Sequence, residues 1–248
     1  MQQNLYDDDE FFNKYLEYPR NTNDISGIQE WDSYSRFFPN MKGMKICDIG
    51  CGTGRFSRYA IQQGASHIIA YDLSRNMINK AKQLTSETDS KYIDYQIEDL
   101  ETFSLPTKQF DMVFSCLTLH FLLDLDRIIA NIYQSLETNG HFLFAVEHPI
   151  YTSSIKQPCF IELESNHLIW PVSDYQDEGS RKTNWVKGQV IKQHRKVETY
   201  VNTCLKHGFK IDGISEWGPT EKQLKERVDL KNENHRPMFL TISCIKQN

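Results

Sequence analysis

Residues 45–54 of the chain read KICDIGCGTG, from Lys45 to Gly54. The apolar start predicts a short strand that ends near Asp48, and glycines follow at alternate positions, Gly50, Gly52 and Gly54. A helical stretch begins near Phe56. Because glycine has no Cβ and tolerates positive φ, such a turn lets a ligand lie against bare backbone. The helix N-terminus adds unpaired N–H groups for a carboxylate or phosphate. The stretch therefore predicts a ligand-binding turn.

The spacing of the glycines narrows the class of ligand. The dinucleotide fingerprint G-x-G-x-x-G/A, counted from Gly50, needs a small residue at position 55, which is Arg55. An arginine would crowd the helix–strand contact that the third glycine permits, which disfavours an NAD-dependent oxidoreductase. The arrangement Asp-x-Gly-x-Gly-x-Gly instead resembles the first motif of the class I S-adenosylmethionine-dependent methyltransferases.

Four later segments follow in the order expected for that family. Residues 67–72 predict a second strand that ends in Asp72, 22 residues beyond Gly50, where an acid accepts hydrogen bonds from ribose hydroxyls. Asp99 follows a strand-like stretch at 95–97. Residues 110–115 match the fourth strand of the family and residues 140–145 the fifth.

The alternation of strands and helices predicts an α/β fold. The resemblance implies a Rossmann-like, doubly wound sheet of seven strands, mostly parallel with an antiparallel last strand. We expect one methyltransferase domain over residues 1–248. Its parts are an aromatic N-terminal helical cap (1–40), a cofactor-binding core (44–147), an insertion that acts as a substrate lid (148–193) and the C-terminal part of the sheet (194–248).

Local signals place several elements within this frame. Ser74 is a plausible N-cap for a helix over 75–84, and apolar spacing predicts a helix over 124–136 that Asn139-Gly140 closes. A hairpin is expected around Lys187-Gly188, in residues 185–190. The remaining predicted elements are a helix over 194–207, a strand over 209–215 and a last strand over 238–245.

Composition limits the broad class of the protein. The 248 residues carry a net charge of −5, which argues against a protein whose main role is sequence-independent nucleic-acid binding. The six cysteines form no C-x-x-C pair, and we interpret them as thiols of a reducing cytosol. No apolar run suggests a signal peptide or a span of the ~20 residues that a bilayer requires. We expect a cytoplasmic protein that does not bind membranes; its oligomeric state stays open.

The resemblance implies S-adenosylmethionine as the cofactor, S-adenosylhomocysteine as its product and no metal. It also implies roles for single residues: Asp48 near the cofactor's ammonium, Asp72 on the ribose, and Asp99 with the backbone of Leu100 on the adenine. Arg20, in an N-terminal lid, is expected to bind the methionyl carboxylate. The predicted cofactor residues are Tyr15, Arg20, Asp48, Gly50, Cys51, Gly52, Thr53, Gly54, Asp72, Leu73, Met77, Asp99, Leu100, Ser115 and Cys116.

Candidate residues for catalysis and substrate binding follow the fourth and fifth strands. His148 lies at the carboxyl edge of the sheet, where a histidine could act as a general base, and His120 is a second candidate. Each could equally be structural, His148 as a helix cap. Tyr151 and Trp170 are expected to line the substrate pocket. No carboxylate stands at positions 115–118, which argues against a Mg²⁺ site of the catechol type.

A basic run is the last candidate feature. Residues 181–196 hold six Lys or Arg and no acid, which predicts either a solvated face or an attraction for an anionic substrate. The basic positions are Arg181, Lys182, Lys187, Lys192, Arg195 and Lys196.

The whole chain resembles a group of uncharacterised bacterial class I methyltransferases. The shared marks include Tyr18-Pro19-Arg20, Leu119-His120-Phe121, the run from Val146 to Thr152, and Arg236-Pro237-Met238-Phe239. We therefore expect methyl transfer from S-adenosylmethionine to an oxygen or nitrogen of a small molecule. Two alternatives stay open: an RNA-modifying methyltransferase, and a protein that binds S-adenosylmethionine without turnover.

Overall fold

Seven strands form one central sheet in the computed structural model, which describes residues 4–22, 25–164, 167–186 and 188–247. The strands of the described chain are β1 (Lys45–Ile49), β2 (His67–Asp72), β3 (Ile93–Ile97), β4 (Phe110–Cys116), β5 (Leu136–Glu147), β6 (Ile161–Glu162), β7 (Leu168–Ile169), β8 (Gly179–Trp185), β9 (Gly188–His194), β10 (Phe209–Glu216) and β11 (Phe239–Lys246). The central sheet has the order β10-β11-β5-β4-β1-β2-β3.

The helices alternate with these strands. They are α1 (Asp9–Leu16), α2 (Pro19–Thr22), α3 (Trp31–Ser35), α4 (Arg55–Gln62), α5 (Arg75–Leu84), α6 (Leu125–Ser135), α7 (Pro149–Thr152), α8 (Val197–Lys206) and α9 (Glu221–Glu226). Short 3₁₀ turns cover Leu5–Asp7, Ile25–Gly27, Asp89–Lys91, Leu119–Phe121 and Val228–His235. None of the helices in the described ranges is long and apolar enough to cross a membrane.

The predicted fold class is confirmed. β1 pairs in parallel with β2 and β4, β2 with β3, and β4 with β5, whereas β11 runs antiparallel to both β5 and β10. Because strand side chains alternate between faces, Ile46 packs in a core with α3, α4 and α5, and Cys47 packs in a core with α6 and α8. Helices thus cover both faces of the sheet, and the turn after β1 opens at its carboxyl edge.

Local chemistry explains the helix that follows β2. The Ser74 side chain accepts a hydrogen bond from the backbone N–H of Met77, which confirms Ser74 as the N-cap of α5. Met77, Ile78 and Ala81 form the buried stripe of that helix. The cap fixes where α5 starts, three residues beyond the end of β2.

Two element boundaries differ from the sequence-based expectation. The helix expected from His194 begins at Val197, because β9 continues through His194, whose ring contacts Thr152 Oγ1 at 3.0 Å and the carbonyl of Tyr175 at 3.0 Å. Asn139 and Gly140 do not separate α6 from β5. The strand starts directly at Leu136, and Asn139 takes a φ of 63° within it, beside a register shift against β4.

The insertion after β5 contains regular structure. The pairs β6–β7 and β8–β9 are antiparallel, and Trp185 pairs with Gly188 at the predicted hairpin turn. Lys187, at the tip of that turn, lies outside the described residues. At the other end of the chain, α1, α2 and α3 lie within the segment 1–40 that is predicted to be a helical cap, and we keep that name for it. Tyr6, Phe11 and Tyr15 of this cap make edge-to-face contacts with Trp185, which joins the cap to the hairpin.

Candidate active site

The glycine-rich turn is held by the strand beside it. The N–H groups of Gly50 and Cys51 both donate to the carbonyl of Tyr71, at 2.8 and 2.9 Å. Asp72 then accepts from the N–H of Gly52 through Oδ2 at 2.8 Å and from the N–H of Ser74 through Oδ1 at 2.9 Å. The backbone at Leu73 is a third donor to this carboxylate. A carboxylate has about four acceptor positions, so one is left that could accept from a ribose hydroxyl.

The three glycines have different reasons to be glycine. All have positive φ, of 70°, 54° and 73° for Gly50, Gly52 and Gly54. A Cβ on Gly50 would lie 1.9 Å from Thr118 Oγ1, and one on Gly54 would lie 2.3 Å from the Tyr95 hydroxyl. A Cβ on Gly52 would meet nothing closer than Met77 Sδ at 4.0 Å, and Gly52 lines an open cavity. Gly50 and Gly54 thus serve the fold, and Gly52 leaves room for a ligand.

Two acids flank the turn, Asp48 buried and Asp72 half-buried. Burial raises the pKa of Asp48 to about 7, although Ser57 Oγ donates to its Oδ2 at 2.6 Å. Burial also raises the pKa of Asp72 to about 6, against the hydrogen bonds from the backbone at Ser74 and Gly52. A positively charged ligand group nearby would favour the ionised form of both acids. The turn therefore suits a cationic molecule.

A cavity of about 300 Å³ runs from this turn toward the hairpin. It unites most of the predicted cofactor residues with His120. Those that line it are Tyr15, Arg20, Asp48, Gly50, Cys51, Gly52, Thr53, Asp72, Leu73, Met77, Leu100 and Cys116. We call the part lined by residues 48–77, Leu100 and Arg20 the cofactor half.

Three predicted cofactor residues do not line the cavity. Gly54 forms the start of α4 instead. Asp99 Oδ1 accepts from the N–H of Glu101 at 2.8 Å, and Leu100, Glu98 and Glu101 line the cavity in its place. Ser115 is fully buried in β4, because side chains of a strand alternate and its neighbour Cys116 faces the cavity. The rule that ligands bind at the carboxyl ends of parallel strands indicated the right segments. It does not indicate which side chain of a segment points into the cavity.

Arg20 lines the cavity, and a partner that the sequence did not indicate orients it. Its Nη1 lies 2.5 Å from Oε1 of Glu30, whose side chain is fully buried. Its Nη2 is 3.6 Å from Cys116 Sγ. Burial raises the pKa of Cys116 to about 12, so the thiol is protonated and does not compete as a nucleophile. The guanidinium is therefore fixed at the cavity wall.

The N-terminal segment is attached to α5 beside the cofactor half. Asp7 accepts from Ser74 Oγ at 2.6 Å and from the N–H of Asn76 at 3.0 Å. The side-chain amide of Asn76 donates in turn to the carbonyl of Tyr6 at 3.2 Å. Tyr6 and Leu5 line the cavity. No sequence signal marked Asp7, because the contact joins segments almost 70 residues apart.

The other end of the cavity, which we call the acceptor half, is lined by Leu5, Tyr6, Phe11, His120, Phe121, Glu147, Trp185, Val190, Ile191 and Lys192. Lys192 Nζ lies 2.6 Å from Glu147 Oε1. The N–H of Glu147 is 3.5 Å from Nδ1 of His120. Burial, and then the charges of Lys192 and Arg195, holds the pKa of His120 well below its usual 6.5. His120 is therefore neutral.

His148 lies outside both halves. Its Nδ1 accepts from the N–H of Ile150 at 3.0 Å, as the N-cap of α7, and its Nε2 is 2.8 Å from Glu216 Oε1. Burial lowers its pKa, against the pull of Glu216. With both ring nitrogens engaged, His148 has the geometry of a helix cap. The prediction that His148 acts as a general base is therefore wrong for this geometry.

Tyr151 and Trp170 also lie away from the large cavity. Their rings stack with centroids 5.5 Å apart, and the Arg236 guanidinium lies 4.7 and 4.3 Å from the two centroids. Both line a separate space of about 20 Å³, which shares only Glu147 and Lys192 with the large cavity. Within the insertion, the aromatic side chain that lines the large cavity is that of Trp185.

Three side chains of the basic run make hydrogen bonds or an ion pair inside the protein. Arg181 Nε donates to the carbonyl of Ser153 at 2.7 Å, and Arg195 donates to the carbonyls of Leu119, Leu122 and Leu123. Lys192 is paired with Glu147, as described above. These three side chains are buried, so they are not a solvated face.

Comparison with known proteins identifies the fold and the cofactor. A family described as methyltransferase domain matches residues 47–144. The crystal structure of an S-adenosylmethionine-dependent methyltransferase from Mesorhizobium loti is 37% identical with a TM-score of 0.85, over 90% of this chain and 100% of that one. A structure assigned to the same class from Listeria monocytogenes is 32% identical with a TM-score of 0.79, over 89% and 99% of the two chains.

Among curated proteins, malonyl-[acyl-carrier protein] O-methyltransferase 1 of Ilyobacter polytropus is 28% identical over 138 residues, which is 50% of either chain. The glycine cradle, the acids beside it and the enclosed cavity suit S-adenosylmethionine, whose sulfonium and ammonium are cationic. The sequence-based prediction of family and cofactor is confirmed, and the chain belongs to the class I S-adenosylmethionine-dependent methyltransferases.

Proposed function

We propose that the protein transfers the methyl group of S-adenosylmethionine to an oxygen or nitrogen of a small molecule. The observation that carries this proposal is the single cavity that continues from the glycine turn to the acceptor half. Its volume of about 300 Å³ lies at the lower end of the range typical of small-molecule sites. The N-terminal segment and the hairpin cover it, which favours a compact acceptor over a folded RNA.

The residues of the cofactor half have separate tasks in this proposal. Asp72 binds the ribose through the acceptor capacity that its backbone donors leave free. Arg20, oriented by Glu30, binds the methionyl carboxylate, and ionised Asp48 stabilises the positive end of the cofactor. Leu100 and Met77 supply apolar contact for the adenine. When bound, the cofactor supplies an activated methyl group.

The acceptor half aligns the nucleophile and excludes water. Alignment and desolvation account for much of the rate enhancement when the leaving group is already activated. The aromatic side chains of Tyr6, Phe121 and Trp185 line this half. Glu147, Lys192 and His120 are the polar groups that meet the acceptor.

Methyl transfer to two substrate pools tests the proposal. The protein is incubated with S-adenosylmethionine carrying a tritiated methyl group and either the low-molecular-weight fraction of a bacterial extract or purified tRNA. We expect label in small molecules and none in tRNA. Asp72→Ala should lower the affinity for S-adenosylhomocysteine about tenfold or more, since hydrogen bonds to charged groups contribute ~1.5–3 kcal/mol.

Asp89→Ala, which removes an acid that lies outside the cavity, is the matched control. It should bind S-adenosylhomocysteine as tightly as the wild-type protein does. Transfer to tRNA alone would establish the RNA-modifying alternative and refute the small-molecule proposal. Binding of the cofactor without transfer to either pool would count equally against it.

A further inference from the structure

The acceptor half contains a carboxylate whose hydrogen bonding is incomplete. Resting on the function proposed above, we infer that Glu147 selects the methyl acceptor by binding an O–H or N–H group on it. The acceptor class is then a neutral aromatic compound that carries a hydroxyl or an amine, rather than a carboxylate.

The position of Glu147 is the first support. It is the last residue of β5 and lines the cavity, and its side chain is only 16% exposed. Oε1 lies 2.6 Å from Lys192 Nζ, whereas Oε2 is buried and has no hydrogen-bond partner among the described residues. A buried carboxylate that lacks a donor on one oxygen is unfavourable. A donor on the ligand would complete its hydrogen bonding.

The cations near Glu147 are the second support, because they are already engaged. Lys192 is paired with Glu147 itself, and Arg195 donates to the carbonyls of Leu119, Leu122 and Leu123. His120 is neutral, as shown above. An acceptor with its own carboxylate would therefore meet the negative charge of Glu147 with no unpaired positive charge among these three residues. A neutral donor meets no such repulsion.

The shape of the acceptor half supports an aromatic compound. Tyr6 and Phe11 both contact Trp185 edge-to-face, with centroids 6.3 and 5.9 Å apart, and all three line the cavity together with Phe121. Aromatic side chains arranged around an apolar space favour planar ligands, through stacked and edge-to-face contacts. The polar group of such a ligand would then reach Glu147 at the end of β5.

Binding of three matched probes tests this inference without any turnover. Phenol, aniline and benzoate are titrated by ligand-observed NMR into the wild-type protein saturated with S-adenosylhomocysteine. We expect phenol or aniline to bind about tenfold or more tightly than benzoate, which is the discrimination expected for a hydrogen bond to a charged group. Phenol and aniline separately show whether the site prefers oxygen or nitrogen.

A variant and its control assign the preference to Glu147. Glu147→Gln removes the charge and adds an N–H donor, so the preference over benzoate should fall about tenfold while the affinity for S-adenosylhomocysteine is retained. Glu162→Gln, at an exposed acid of β6, should leave the preference unchanged.

Two outcomes would overturn the inference. One is benzoate binding to the wild-type protein as tightly as phenol and aniline, a result that needs no folded variant. The other is an unchanged preference in a Glu147→Gln protein that still binds S-adenosylhomocysteine. Because these measurements use no methyl transfer, they are separate from the test of the proposed function.

Discussion

The cofactor half and the acceptor half of the cavity are built in different ways. Most of the cofactor half comes from residues 48–77, which form two consecutive strand–turn–helix units. Asp72 at the end of β2 joins the two turns, because it accepts from the N–H groups of Gly52 and Ser74. The acceptor half draws on four distant segments, represented by Tyr6, His120, Glu147 and Lys192. A local arrangement of this kind can serve many reactions unchanged, whereas under the function proposed above the distant segments select the methyl acceptor.

The largest expected effect comes from filling the cofactor half. Gly52→Ala should lower the affinity for S-adenosylhomocysteine about fivefold to 100-fold, since overpacking a tight site costs ~1–3 kcal/mol. It should also lower stability by ~1–2 kcal/mol, because its φ of 54° strains any residue with a Cβ. Calorimetry and thermal melting measure the two effects.

Gly43→Ala is the matched control for that change. Gly43 has a φ of 79° and open space around its Cβ position, but it does not line the cavity. It should show the loss of stability and keep full affinity for S-adenosylhomocysteine. Equal affinities for the two variants would mean that Gly52 has no special role in the cofactor half.

A second effect concerns the pH dependence of stability. Asp48 has a folded pKa of about 7, above the ordinary value of 3.8. Between these values the folded protein keeps a proton that the unfolded chain has lost, so stability without cofactor falls as pH rises from about 4 to 7. Asp48→Asn cannot ionise and should lose less stability over this range. At pH 8 its melting temperature should exceed that of wild type by several degrees, at about 2–4 °C per kcal/mol.

Melting curves from pH 5 to 8 measure this difference. Asp94→Asn, at an exposed acid of β3, is the control and should follow wild type. The same Asp48→Asn variant should bind S-adenosylhomocysteine more weakly, because it lacks the negative charge that would attract the ammonium group of the ligand. Parallel pH curves for wild type and Asp48→Asn would show that Asp48 is not the group responsible.

The smallest effect tests the contact that joins the two halves. Asp7→Ala removes the hydrogen bonds from Ser74 and Asn76 that attach the N-terminal segment to α5. Release of S-adenosylhomocysteine in stopped-flow experiments should become about twofold to tenfold faster, since a net hydrogen bond contributes ~0.5–1.5 kcal/mol. Glu17→Ala, at an exposed acid of the same cap, should release it at the wild-type rate. If Asp7→Ala also does so, the segment does not control release.

The predicted residues that the structure brings into contact around the glycine-rich turn are close along the chain. Asp72, Ser74 and Gly52 interact within 22 residues, so the spacing of a strand, a turn and a helix was enough to indicate them. His148 shows the limit of the same reasoning. The rule that ligands bind at the carboxyl edge of the sheet indicated the right strand end, but Glu147 lines the cavity there and His148 caps α7.

By itself, the sequence determined the α/β class and the order of elements, because these depend on hydrophobic periodicity and on turn residues, and its resemblance to a known family indicated the cofactor. Only the tertiary structure decided how the distant segments meet. Glu30 beside Arg20, Asp7 on α5, and Lys192 on Glu147 are contacts between residues that no local pattern relates. The physical reason is that a strand or helix orients its own side chains, whereas the packing of the cap and hairpin onto the sheet decides which of them share a cavity.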